Sequence, residues 1–387
     1  MLVAVVGALA LTGSASASQG MLVGAAEDAG KAPTLSEAKT KMDLAKLAGL
    51  DAIRLTAPWR RGETAPTDAQ LQSLKNAVDA ADLDGIVVYL SVFPSGSSQT
   101  PRSGRERAAF AAFAASLATG LPSVQRFIVG NEPNLNRFWL PQFGLDGSDV
   151  AAPAYEKTLA LTYDALKQVS PTLSVIGGGL SPRGNDSVLS CKHSPTTFIE
   201  DIGRAYRKSH RTRPIMDAFS LHPYEDNSSI PPSFTHPHTT TISLADYPKL
   251  VRLLAKAFGG TAQAGAGLPI VYDEFGVQSR IPARKRSEYD GRAPRTDRPV
   301  TEATQSVYYL EALALAACQP TVQSLLFFHV SDEPDLERWQ SGLYYTDDTP
   351  KTSLSAVQRG IDLLREAGVR ACSAAAVQAF TKRAIGG

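Results

Sequence analysis

Eight short apolar, β-branched runs recur along the chain, and each is followed by a loop and then by a stretch with helical spacing. The predicted strands are Met21–Ala26, Ala52–Thr56, Ile86–Val92, Arg126–Gly130, Ser174–Gly178, Ala218–His222, Ile270–Tyr272 and Ser324–His329. Their start-to-start spacing of roughly 30 to 55 residues suits a βα unit with its loops. Leu35–Leu47, Arg107–Leu117, Tyr155–Val169, Thr197–Tyr206, Tyr247–Phe258, Ala303–Ala317 and Ala356–Ala367 carry apolar residues at three- and four-residue intervals. Thr67–Ala80 is mostly polar and suits an outer helix. Strands alternating with helices imply a parallel sheet, and eight such units imply a (β/α)8 TIM barrel, class α/β. The alternative is a doubly wound open sheet. It wants G-x-G-x-x-G after the first strand, which Gly24-Ala25-Ala26-Glu27 does not supply. Gly177-Gly178-Gly179 opens into Leu180-Ser181-Pro182, not a helix, and reads as a loop.

Charge excludes some functions. Lys+Arg is 39 against Asp+Glu 38, a net charge of +1, so no general basic excess points to nucleic acid. No apolar run reaches the 18 or so residues of a membrane span, so no membrane role is expected. Residues Met1 to Leu11 are almost purely apolar and lead into Thr-Gly-Ser-Ala-Ser-Ala-Ser, which reads as a secretory signal cleaved near Ala15-Ser16-Ala17. The expected organisation is a signal peptide over 1–17, a single barrel domain over 18–372 and a short Ala-rich tail over 373–387, in a secreted protein. Of the three cysteines, Cys318 and Cys372 are the expected pair, leaving Cys191 free. There is no C-x-x-C, and in His236-Pro237-His238 a proline separates the histidines with no carboxylate companion. Neither a metal nor an organic cofactor is expected.

In a barrel the catalytic groups sit at the C-terminal ends of strands. The fourth strand ends in Asn131-Glu132-Pro133-Asn134, and the seventh in Asp273-Glu274-Phe275-Gly276. Each carboxylate follows an apolar strand, where packing gives no reason for a charge. The two strands lie on opposite sides of the ring, so Glu132 and Glu274 can face each other across the mouth. Two facing carboxylic acids are what glycoside hydrolysis needs. Taken singly, each motif has a plainer reading, in which Glu132 or Asp273 caps a following turn.

Asn-Glu-Pro on strand four, Glu on strand seven and His-x-Tyr on strand six together resemble the clan A glycoside hydrolases, such as families 5 and 39. The resemblance covers about residues 20 to 370. It implies a retaining β-glycosidase acting on a carbohydrate, with Glu132 as acid/base and Glu274 as nucleophile. It further implies that Asn131 bonds the sugar 2-hydroxyl and that Arg54 lies beside Glu274, favouring its charged form. Within Ser220-Leu221-His222-Pro223-Tyr224, Tyr224 would bond Glu274 and His222 would line the site. Two departures bear on the substrate. The clan's strand-eight Trp is absent, with Phe328 or His329 in that region, and strand three ends in Val92-Phe93-Pro94 without the His of many family 5 members. Trp59, Trp139 and Trp339 each follow a predicted strand and are candidate sugar-stacking residues, Trp139 foremost because it lies nearest Glu132. The loops Glu225–Ile242 and Ser279–Val300 should lie on the catalytic face. The second carries seven basic residues, and is either a solvated excursion or an attractor for an acidic sugar. A transglycosidase and a non-catalytic carbohydrate-binding barrel are the rival functions.

Overall fold

The computed structural model describes residues 20–369 and 372–386. The expected signal segment over 1–17 lies outside the described residues. Strands β1 (Leu22–Ala26), β2 (Ala52–Trp59), β3 (Val87–Pro94), β4 (Arg126–Val129), β5 (Ser174–Leu180), β6 (Ala218–Leu221), β7 (Ile270–Phe275) and β8 (Val322–Phe328) close in sequence order into one barrel. Every pairing is parallel, including β1 with β8. All eight predicted strands are present; β2, β3, β5 and β7 run further toward the mouth than their apolar runs indicate. The glycine run belongs to β5 and is not a loop.

The helices α1 (Leu35–Leu47), α2 (Asp68–Asp84), α3 (Gly104–Gly120), α4 (Ala151–Val169), α5 (Pro195–Lys208), α6 (Tyr247–Phe258), α7 (Glu302–Ala317) and α8 (Thr352–Ala367) form the outer ring. Their starts are written locally. Thr34 with Glu37, Thr67 with Gln70 and Ser103 with Glu106 form reciprocal capping boxes at α1, α2 and α3. Each cap supplies a partner to amide groups that a helix start leaves open, typically worth about 1 kcal/mol.

Strand parity divides the core in two. Ala52, Tyr89, Ile128, Ile176, Ala218, Val271 and Leu326 point inward and fill the barrel. Their neighbours Ile53, Val88, Phe127, Val175, Phe219, Tyr272 and Leu325 point outward beneath the helices. A disulfide joins Cys318 at the end of α7 to Cys372, as expected, and Cys191 is free. The tail forms α9 (Ala374–Ile385), whose Val377, Phe380 and Ala384 join the outer core.

Candidate active site

The fourth strand delivers its acid through an unusual turn. Gly130 and Glu132 both have positive φ, +107° and +43°. The left-handed conformation costs a non-glycine residue about 1–2 kcal/mol, so the surroundings must hold it. The Glu132 amide donates to the Gly179 carbonyl at 2.7 Å, and its own carbonyl accepts from Leu135. Asn134 is fully buried; its side chain donates to the carbonyls of Ser181 and His193 and accepts from the Ser181 amide. The motif therefore clamps the loop after β4 onto the loop after β5. Gly179 permits this close approach: its φ is +56°, and a Cβ there would lie 3.2 Å from the Gly130 carbonyl oxygen.

The seventh strand delivers its acid through a bulge. Val271 and Asp273 face inward, so strict alternation would point Glu274 out toward the helices. The register against β8 shifts between Tyr272 and Phe275. Asp273 and Glu274 consequently both face the mouth, and Phe275 turns outward onto Tyr309. Such an inserted residue re-aims a side chain at a barrel rim.

Around these acids the structure gathers the other predicted residues. Arg54, on β2 and 2% exposed, donates from Nη1 to Glu274 Oε1 at 2.8 Å. Its Nη2 donates to Asn131 Oδ1 at 3.0 Å and to Ser91 Oγ at 3.2 Å. Because the guanidinium can only donate, it fixes the amide oxygen of Asn131 and leaves the amide N–H groups for a substrate oxygen. Tyr224 donates from its phenol to Glu274 Oε2 at 3.1 Å. His222, wholly buried, holds Nδ1 at 3.1 Å from Glu132 Oε1 and 3.3 Å from Glu274 Oε2. One nitrogen thus touches an oxygen of each carboxylate. Those two oxygens lie no further apart than the two distances laid end to end.

Burial works against a charged His222, but Glu274, Asp273 and Glu132 outweigh it and push the imidazole up to about 10. Burial, reinforced by Glu274, pushes the Tyr224 phenol well above its ordinary range and keeps it a donor.

A cleft of about 720 Å³ opens above the pair. His329 and Trp339 line it, with Phe93, Phe138 and Phe328 as further aromatic walls. Trp339 leans on Tyr224 with ring centres 4.9 Å apart, and edge-on to Phe328. The His329 imidazole Nδ1 lies 2.7 Å from the Ala26 carbonyl oxygen.

Trp59 and Trp139 do not reach the cleft. Trp59 is the last residue of β2, five beyond Arg54, and an odd step along a strand turns a side chain to the opposite face. It is fully buried against Phe110 under the helices. In the turn after Glu132, the amides of Phe138 and Trp139 both donate to the Leu135 carbonyl. Phe138 faces the cleft, while Trp139 is buried edge-on to Tyr155.

The basic residues of Ser279–Val300 do not line the cleft. Lys285 pairs with Asp347, and Arg284 and Arg286 bond within loops. His236 has the carboxylate companions that the sequence reading denied it: Asp246 Oδ2 at 2.9 Å and Glu225 Oε2 at 3.7 Å. The fold brings them from both ends of the loop after β6. Among the described residues no group of three or more His, Cys, Asp or Glu is arranged to hold a metal ion.

The sequence reading also missed Asp273, Ser91, Phe93 and Asn134. Parity was the available signal for two of them: Ser91 and Phe93 stand two and four residues beyond inward-facing Tyr89. The acids Glu27, Asp28 and Glu333 line one wall of the cleft without having been singled out.

No protein-family model matches the chain, and no curated protein sequence does. Solved structures do. A GH5_18 protein from Streptomyces cattleya, in complex with Manb1-4GlcNAc, matches at 15% identity and a TM-score of 0.60, over 95% of this chain and 92% of that one. A glucosidase from Croceicoccus marinus matches at 13% identity and a TM-score of 0.59, over 89% of this chain and 66% of that one. A β-glucuronidase from Bacteroides uniformis matches at 16% identity and a TM-score of 0.53, over 88% of this chain. The chain spans only 35% of that β-glucuronidase's length. What the chain shares with all three is the eight-stranded parallel barrel.

Proposed function

We propose that the protein is a retaining glycoside hydrolase that cleaves a β-linked carbohydrate by double displacement. Glu274 attacks the anomeric carbon while Glu132 gives its proton to the departing glycosidic oxygen. The glycosyl–Glu274 ester is then cleaved by a water molecule, whose proton returns to Glu132. The observation that carries this reading is the shared contact of His222 Nδ1 with both carboxylates, which keeps the acids a close pair. Arg54 and Tyr224 each bond one oxygen of Glu274 and so aim it as a nucleophile. Asn131, free to donate, suits a 2-hydroxyl whose bond strengthens in the transition state. Glycosidase neighbours with the same barrel are consistent with a carbohydrate substrate. Export by the 1–17 segment completes the proposal; N-terminal sequencing of protein from culture medium, expected to begin near Ser18, tests it.

The test of the chemistry is a panel of aryl β-glycosides with wild type, Glu274→Ala and Glu132→Ala. Wild type should hydrolyse at least one member, and Glu274→Ala should lose that activity. Azide should restore turnover to Glu274→Ala with inversion, because a small anion fits the vacated position. Retention of most activity by Glu274→Ala would refute the assignment. Oligosaccharide binding with no turnover on any glycoside or polysaccharide would instead identify a binding barrel.

A further inference from the structure

We infer that Asp273 is the positioning residue of this site: one buried carboxylate holds Arg54 and His222, and through them aims both Glu274 and Glu132. The inference deepens the hydrolase reading and rests on it.

Asp273 is entirely buried, yet the chain places a second acid directly beside Glu274. Its Oδ2 lies 3.3 Å from Arg54 Nε and 3.4 Å from His222 Nε2, as ion-pair contacts outside hydrogen-bond geometry. Each of those cations carries a second contact on its far side. The Arg54 guanidinium reaches Glu274 with Nη1, and the His222 imidazole reaches Glu132 with Nδ1. The arrangement is two planar cations drawn by charge onto one oxygen. A guanidinium is a planar fork and an imidazole a planar ring with opposed nitrogens, so drawing one nitrogen of each toward Asp273 leaves the others turned toward the two glutamates.

Charge balance gives Asp273 its purpose. With Glu132 carrying the proton that it gives to the leaving oxygen, Arg54 and a protonated His222 would, without Asp273, set two buried positive charges against Glu274 alone. Glu132 approaches from the turn after β4, Arg54 from β2, His222 and Tyr224 from the segment after β6, and Tyr89 from β3 below. Among these groups, Arg54 and His222 are the ones that carry positive charge. Asp273 compensates them from beneath, so Glu274 need not neutralise both. Burial opposes the charged form of His222, and the neighbouring acids, Asp273 among them, reverse that. A buried carboxylate with no such duty would be a cost without return.

Asp273→Asn keeps the shape and removes the charge. It should lower kcat on aryl β-glycosides by about 100-fold, the scale expected when reacting groups are misplaced by about 1 Å. KM should change less than about threefold, because the cleft walls are untouched. The second readout needs no substrate. In wild type, the ring nitrogens of 15N-labelled His222 should remain protonated through neutral pH. In Asp273→Asn they should titrate at least about one pH unit lower. Tyr272→Phe, on the outward face of β7, should move neither quantity. A folded Asp273→Asn with wild-type kcat and unchanged His222 titration overturns the inference. So does a wild-type His222 that is neutral at pH 8, a measurement that does not depend on the variant folding. A shifted His222 in a protein that hydrolyses no glycoside would uphold the positioning role while defeating the hydrolase reading.

Discussion

Lys351→Met should destabilise the protein by about 3 kcal/mol and loosen the wall that carries Trp339. Lys351 stands at the N-cap of α8 with its ammonium wholly buried. It donates to Asp332 Oδ1 at 2.7 Å, Ser279 Oγ at 2.9 Å and the Gln340 carbonyl at 3.0 Å. Those three groups come from the start and the middle of the loop after β8 and from the loop after β7, so one cation ties the Trp339 segment down. Burial pushes Asp332 up and Lys351 down, each toward its neutral form, and their mutual attraction opposes both shifts. Removing one partner of a buried pair typically costs about 3–5 kcal/mol, because an uncompensated charge stays behind. Asp332 would keep the Gly342 amide at 2.9 Å and the Tyr289 phenol at 2.7 Å, which puts the expected loss at the low end. The double variant Lys351→Met with Asp332→Asn should be less damaging than the two single losses added together, with a coupling of about 1.5 kcal/mol or more. Urea denaturation of the four proteins of the cycle, with unchanged m values, gives these quantities. Lys351→Met should also raise KM for aryl glycosides more than it lowers kcat. A single-variant loss under about 1 kcal/mol, or strict additivity, would refute the reasoning that this pair anchors the loop.

Stability should fall on the alkaline side. His222 is held at about 10 when folded, against about 6.5 when unfolded, so its contribution is complete below about 6.5 and is lost as pH rises through 10. Between those limits the slope should approach 1.4 kcal/mol per pH unit, read from urea midpoints at several pH values. Burial likewise raises Glu225 to about 8 from an ordinary value near 4.5, so its contribution is lost as pH rises through 8. Glu225→Gln should therefore flatten the pH dependence below 8; an unchanged slope would count against it. Trp339→Ala should raise KM about tenfold with little loss of stability. Trp59→Phe and Trp139→Phe should leave kcat/KM within about twofold while costing about 1–3 kcal/mol in denaturation.

The sequence disclosed the barrel because each layer of it rests on local pattern. Apolar runs make strands, and three- and four-residue spacing makes helices. It disclosed the acids because a carboxylate after an apolar strand has no packing role. What it hid depends on where strands end and how they register against neighbours. Trp59 was readable in principle: once β2 is carried past Thr56, its odd separation from Arg54 sends it outward. Glu274 was not readable that way. From inward-facing Val271, parity sends Asp273 to the mouth and Glu274 to the helices. Only the slip between β7 and β8 turns both acids inward together. That slip is set by contacts between residues some 50 positions apart, so no local pattern reports it. Parity makes Asp273 a neighbour of Arg54 and His222, and the slip brings Glu274 in beside it. Closing the bulge by deleting one residue would thus remove one of the two acids from the mouth, and the site needs both.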